Sequence, residues 1–311
     1  LTKIPANSGS EPHGLPDKEK QKGLLAALAT FGMWGVFPLY FKALSHVPVL
    51  EVLANRILWS LVLVSILILA TGRLEKLRLA ITNRSVMKYF IGSTLLIAAN
   101  WTTFLWAVVN DRVLEASLGY YINPLVSVAL GMIFLGERLN RWQSFAIFLA
   151  ICSVSLMTIM LGQLPWVSLV LAFSFGFYGL LRKKVEAEST IGLSIETGLL
   201  VPFSLGYIIF LSVTDGLQGG ALGDGFYSIE TFLLLAGTGF VTGVPLILFS
   251  YGAQRLRLST VGLMQYIAPT IQVILAVFVF KEQFSFIQLS AFSLIWAGLL
   301  VYSIDGYRNR S

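Results

Sequence analysis

Residues 118–128, LGYYINPLVSV, return 145 positions later as residues 263–273, LMQYIAPTIQV. Leu118, Tyr121, Ile122, Pro124 and Val128 recur without a gap as Leu263, Tyr266, Ile267, Pro269 and Val273. The register runs on to Glu137 with Glu282 and Gln143 with Gln288. Shared apolar residues follow from composition alone, but Tyr, Pro, Glu and Gln kept in step do not. The chain is therefore read as an internal duplication. Earlier in each half, Gly32 and Gly35 match Gly176 and Gly179 at an offset of 144, Trp34 matches Tyr178, and Glu51 matches Glu196 at 145.

Around this repeat almost everything is apolar. Hydrophobic residues make up 56% of the chain and charged residues 12%, with a mean hydropathy of +0.78. A soluble globular fold is excluded on those figures. Helices are expected over about residues 23–44, 49–72, 86–110, 114–135, 141–161, 164–183, 191–213, 230–253, 258–280 and 284–305. Each approaches the ~20 apolar residues that a bilayer crossing needs. The expected fold is thus all-α and polytopic, with ten transmembrane helices.

The net charge of +6 is a topology signal rather than a nucleic-acid footprint. Basic residues gather in alternate connectors: Lys18, Lys20 and Lys22; Arg73, Lys76, Arg78, Arg84 and Lys88; Arg138 and Arg141; Arg182, Lys183 and Lys184; Arg255 and Arg257; Arg308 and Arg310. The other connectors hold little more than Lys42, Arg112 and Lys281. By the positive-inside rule both termini are cytoplasmic, and the basic side faces anionic lipid. Five crossings per half is odd, so the second half enters the membrane in the opposite sense. Oppositely inserted repeats suit a carrier that opens alternately to its two sides. The expected units are a disordered tail over 1–21, a first repeat over 22–162, a second over 163–306 and a short tail over 307–311. The lone Cys152 sits in an apolar run and reads as a small hydrophobe.

The residues also carry a resemblance. The string from Asn100-Trp101-Thr102 to Asn110, then Glu115-Ala116-Ser117-Leu118-Gly119-Tyr120-Tyr121-Ile122-Asn123-Pro124-Leu125 and Gly136-Glu137-Arg138-Leu139, closely resembles the RarD group. That group belongs to the EamA branch of the drug/metabolite transporter superfamily. Trp34-Gly35, Pro38, Asn55-Arg56 and the second-half string Gln265-Tyr266-Ile267-Ala268-Pro269-Thr270 fit as well. The resemblance covers about residues 20–305. It implies two EamA repeats in a bacterial inner membrane and the export or exchange of small metabolites, without naming a cargo.

Candidate cargo-binding residues follow from polarity inside apolar runs. Arg56 lies well inside the second run, where an unpaired guanidinium is costly. It suits a carboxylate or phosphate, or else an ion pair with Glu51 one turn away. Asn100 and Trp101 open a polar and aromatic face, although a buried Asn also bonds neighbouring helices. Tyr120, Tyr121 and Asn123 occupy one half's repeated stretch, and Gln265, Tyr266 and Gln272 the other's. Trp34 and Tyr178 flank the glycine pairs. Gly32, Gly35, Gly176 and Gly179 are candidate hinges, and so are Pro124 and Pro269, each placed inside a spanning helix where proline frees a carbonyl. Glu196 is the best acid for a proton-coupled step. Glu137 and Glu282 read as anchors at helix ends, and Gly239 with Gly243 as a packing face.

The expected function is a secondary transporter of small amphiphilic or anionic metabolites. The competing readings are a lipid flippase or scramblase and, more remotely, an intramembrane enzyme. His13 and His46 lie outside the apolar runs, which leaves no His-assisted serine site or His-based metal cluster in the bilayer. No phosphate-cradling loop is present. No cofactor is expected. The partners expected are the cargo and membrane lipids, in a monomer or homodimer.

Overall fold

A computed structural model describes residues 17–135, 140–183, 185, 187–214, 227–253, 255–256 and 264–308. The tail over 1–16, Glu137, Leu263, the start of the ninth expected helix, residues 309–311 and most of the connector 214–228 lie outside the described residues. The helices are α1 (Asp17–Ala43), α2 (Val49–Ala70), α3 (Leu74–Thr82), α4 (Arg84–Val109), α5 (Val113–Leu135), α6 (Arg141–Leu161), α7 (Trp166–Lys183), α8 (Ser189–Thr214), α9 (Ile229–Ala253), α10 (Ile267–Ile274) and α11 (Phe286–Arg308). α10 continues into a π-helical turn, Leu275–Val279. Eight helices are long and apolar enough to cross a membrane, and Trp166–Arg182 and Ile267–Val279 are shorter apolar helices. The chain is an all-helical, multi-pass membrane protein.

Three elements depart from expectation. α1 starts at Asp17, inside the expected tail, because Glu19 is held by Lys22 at 2.7 Å and by Arg255 at 3.1 Å. α3 fills a connector read as plain basic loop. Its Leu77 and Ala80 pack under α2, α4 and α8 beside Ile68, Phe90 and Ile191, while Leu74, Leu79 and Ile81 stay exposed. Pro269 falls in the first turn of α10, not mid-helix, where its missing N–H costs nothing.

The recurring glutamines are explained by capping. Asn140 and Gln143 form a capping box at the start of α6. Ser285 and Gln288 do the same for α11, with Gln288 Oε1 accepting from the Ser285 N–H at 2.8 Å.

Packing repeats as well. α1 lies on α9 and α10, and α7 on α4 and α5; α2 lies on α9, and α8 on α4. α2 with α8, α5 with α10 and α6 with α11 pair across the middle. Exchanging each helix for its sequence counterpart maps these main contacts onto one another. α1 and α9 are antiparallel, since the Thr30 hydroxyl donates to the Pro245 carbonyl (3.2 Å) and Tyr40 to that of Leu234. α4 and α7 are antiparallel too, with Asn100 on Ser174 (3.0 Å) and the Trp106 and Trp166 rings 4.9 Å apart. α1 and α10 run parallel, from Phe31 beside Met264 to Lys42 over the Phe280 ring.

Close approach needs glycine at the α2–α9 contact. A Cβ on Gly239 would lie 2.6 Å from the Trp59 carbonyl, and one on Gly243 would strike Leu63. The expected packing face is therefore where the sequence placed it. Outward-facing Phe203, Ile159, Leu300 and Val213 are exposed on the flanks, as lipid-facing side chains are.

Candidate functional site

Arg56 is the centre of the site. It projects from the buried face of α2 and is only 4% exposed. Its Nε donates to the Thr242 hydroxyl of α9 at 2.9 Å. Its guanidinium lies 4.3 Å from the Trp101 ring centre and 5.3 Å from that of Phe41, contacts that favour a cation. Phe104 joins Phe41 in an edge contact and meets the Tyr120 ring on its other side. Nη1 is buried without a partner, and among the described residues no ion pair reaches Arg56. Glu51 is not its partner: five residues apart on one helix, the two side chains point about 140° away from each other.

Glu51 itself is fully buried, with the Tyr227 hydroxyl beside its carboxyl. Asn55, one turn on, donates to the Glu51 carbonyl and to the Tyr227 hydroxyl, each at 3.0 Å. Burial and then the neighbouring Glu51 carboxyl push the Tyr227 hydroxyl above its ordinary range.

Its counterpart Glu196 is also buried, at 1% exposure, but well held. Ser93 donates to Oε1 at 2.6 Å and Tyr178 to Oε2 at 3.1 Å. The Arg182 Nε lies 3.9 Å away, with the guanidinium over Phe90 at 5.2 Å. This cluster joins α4, α7 and α8 at the opposite end of the bundle from Glu51. Arg182 packs directly over Gly192, where a Cβ has no room.

The repeated tyrosines meet. Tyr121 and Tyr266 stack with ring centres 6.3 Å apart and planes 18° apart, and Tyr121 shares a 2.5 Å hydrogen bond with Thr270. Trp34 lies against Phe31 and Phe249, and its carbonyl accepts from the Gln272 amide at 3.2 Å. Gln272 Oε1 and Asn123 Oδ1 remain buried and unpartnered.

The sequence-derived candidates thus divide. Trp101 and Tyr120 cluster with Arg56. Tyr178 belongs with Glu196, while Tyr121 and Tyr266 form the α5–α10 contact. Asn100 spends both amide hydrogens on α7, at Leu171 (3.1 Å) and Ser174 (3.0 Å). Gln265 is exposed in the turn before α10, near the level of Phe31 rather than Phe41. Gly35 and Gly176 sit in close contact with Ile271 and Val126, whereas a Cβ on Gly32 or Gly179 meets nothing within 4 Å. Pro124 lies inside α5. Phe41, Thr242, Ser93 and Arg182 were not singled out in sequence, because only tertiary packing delivers them.

At the Glu282 end of α5, a cavity of about 360 Å³ is lined by Asp111, Arg112, Glu115, Lys281, Glu282 and Gln288 among others. Four of its charged side chains are engaged, Glu282 included: Lys42 binds Asp111 at 2.6 Å and Arg112 binds Glu115 at 2.5 Å. Glu282 accepts from the N–H groups of Val113 (2.7 Å) and Leu114 (2.9 Å) and so caps α5. Burial raises its carboxyl above the ordinary carboxylate value, against those two hydrogen bonds. It anchors a helix end, as its place in the sequence suggests. No group of acidic, His and Cys side chains able to hold a metal occurs among the described residues.

A multi-pass helical membrane protein with a buried arginine that pairs with no acid among the described residues is the class these features define. The EamA-like transporter family matches residues 21–159 and 164–304, and the chain belongs to that family, as a membrane transporter of the drug/metabolite superfamily. It is 44% identical to the uncharacterized transporter YojE of Bacillus subtilis over 291 residues, covering 92% of this chain and 95% of the relative. It is 41% identical to protein RarD of Escherichia coli K12 over 288 residues, covering 93% and 96%. A solved structure titled only as the crystal structure of a protein matches with a TM-score of 0.54 at 18% identity, over 91% of this chain and 97% of that one. That likeness concerns the fold alone.

Proposed function

We propose that the chain is a secondary carrier that moves small amphiphilic or anionic metabolites by alternating access. In this reading ten crossings form two inverted five-helix repeats in a bacterial inner membrane, with both termini cytoplasmic. The observation that carries it is one contact made twice. Thr30 meets Pro245 between α1 and α9; Ser174 meets Asn100 between α7 and α4. These are equivalent positions at offsets of 144 and 145. Each first helix lies antiparallel to the third crossing of the other half. The sense of α1 and α7 follows from Phe41 beside Phe104, and Trp166 beside Trp106: α7 starts where α1 ends. This supports opposite insertion, which gives one chain two mirrored shapes.

Arg56 supplies the cargo's counter-charge. Trp101 and Phe41 cover it here, so the conformation described is closed over the site. Opening separates the α1, α2, α4 and α9 contacts around it. Glu196 and Arg182 hold the far end together and are the natural place for a step coupled to a proton.

The test is counterflow of labelled metabolites in proteoliposomes. Saturable exchange that is lost in a folded Arg56→Ala variant supports the carrier. Movement of labelled phospholipid without metabolite exchange contradicts it in favour of a lipid flippase.

A further inference from the structure

We propose that the Arg56 site grips its cargo through one singly charged carboxylate on an apolar body, and rejects dianions such as phosphate monoesters. This names the substrate class of the carrier reading and rests on it.

The argument is one of charge. Among the described cations in or beside the bundle, Lys42 has Asp111, Arg112 has Glu115 and Arg182 has Glu196. Arg56 alone among these four has no acid. A buried guanidinium left in that state is unfavourable until an anion joins it. One negative charge brings the site to neutrality. A second would be buried in excess, because Lys42, Arg112 and Arg182 are each already held by an acid.

Geometry agrees. Thr242 occupies Nε and the Trp101 ring covers the guanidinium at 4.3 Å, so the unpartnered Nη1 marks the edge that remains. A carboxylate oxygen meets that donor in a charge-assisted hydrogen bond. A phosphate group is usually met by several cations or by the free N–H groups of a helix start. Arg56 lies inside α2, where backbone N–H groups are already bonded within the helix. The neighbouring walls are apolar: Phe41, Ile57, Trp101 and Phe104 are all buried there. They suit a hydrocarbon body better than a sugar or a polyanion.

The experiment uses the full chain in detergent, with phenylacetate, phenyl phosphate and the neutral phenylacetamide as probes. The readout is the concentration of each that raises the unfolding temperature half-maximally. Phenylacetate is expected to act at concentrations about tenfold or more below the other two. Arg56→Gln is expected to erase the preference for the acid over the amide, and Arg56→Lys to keep part of it. If Arg56→Gln does not fold, the wild-type panel and Arg56→Lys decide. Phenyl phosphate acting as well as phenylacetate, no probe acting on the wild type, or an unchanged preference in the variants each overturns the proposal. Phenylacetate binding without counterflow would instead sink the carrier reading alone, and counterflow of a phosphate ester would sink this proposal alone.

Discussion

Asn100 on α4 donates to Ser174 on α7 at 3.0 Å, at the position where the other half joins Pro245 on α9 to Thr30 on α1. The first contact uses a side-chain amide as donor and the second the Pro245 carbonyl as acceptor. Different chemistry thus holds the same helix crossing twice. Asn100 is accordingly a fastener between helices. Asn100→Ala is expected to lower stability by about 0.5–2 kcal/mol. Unfolding in detergent should report that loss, while the substrate concentration at half-maximal exchange stays near wild type. A selective rise in that concentration with unchanged stability would assign Asn100 to the cargo.

Breaking the Glu196 cluster should be costlier. Its carboxyl answers Ser93, Tyr178 and Arg182 and is only 1% exposed. Glu196→Ala leaves the half-buried Arg182 without its acid and the Ser93 and Tyr178 hydroxyls without their acceptor, a loss of about 1–3 kcal/mol. Adding Arg182→Met removes the stranded cation and is expected to restore more than half of that loss. Unfolding of the two single variants and the double variant gives the coupling directly.

Gly239 tests the α2–α9 approach. Gly239→Ala drives a methyl to 2.6 Å from the Trp59 carbonyl, and backbone yields little. A loss of about 1–3 kcal/mol is expected. Gly206→Ala, with nothing within 4 Å of its Cβ, is the control and should be neutral or slightly stabilising. Equal effects from both would contradict the packing described.

Glu188 gives a pH signature outside the membrane. Arg73 and Lys76 reach it at 2.8 and 2.6 Å, and the Lys76 hydrogen bond holds its carboxyl below the ordinary value of 4.5. With the folded value depressed, its contribution is present above pH ~4.5 and fades as pH falls through the folded value. The bridge is partly exposed, so about 0.2–1 kcal/mol is at stake. Glu188→Gln should lower stability near neutral pH by that amount and remove the corresponding part of the acid-side decline. A wild-type profile overlaid on the variant's would rule the bridge out as a contributor.

The crossings were legible because lipid-spanning helices are written as long apolar runs, and repetition of 118–128 at 263–273 was legible because polar residues kept the register. α3 was not: nine residues with Lys76 and Arg78 among leucines read as loop until Leu77 and Ala80 found neighbours on α2, α4 and α8. Arg56 stood out by its charge, yet the sequence suggested Glu51 as its partner. Spacing along a helix sets direction as well as distance, and these two diverge. Glu196 was visible as an acid, while Ser93 and Arg182, which make it a cluster, come from other helices. Arg182 had counted only as a cytoplasmic charge. The repeated Pro269 looked like a kink because the helix start beside it is not written in hydropathy.

Alternation itself can be measured by distances at the two ends of the bundle. Spin labels at Ser45 and Glu230 report the end where His46 meets Thr231 at 3.1 Å; labels at Thr82 and Ala187 report the end where Lys76 meets Glu188. Cys152, the only cysteine, is replaced by serine first. On adding an exchanged metabolite in proteoliposomes, one distance distribution should lengthen while the other shortens. Both ends moving in the same sense, or neither moving while exchange proceeds, would contradict alternating access.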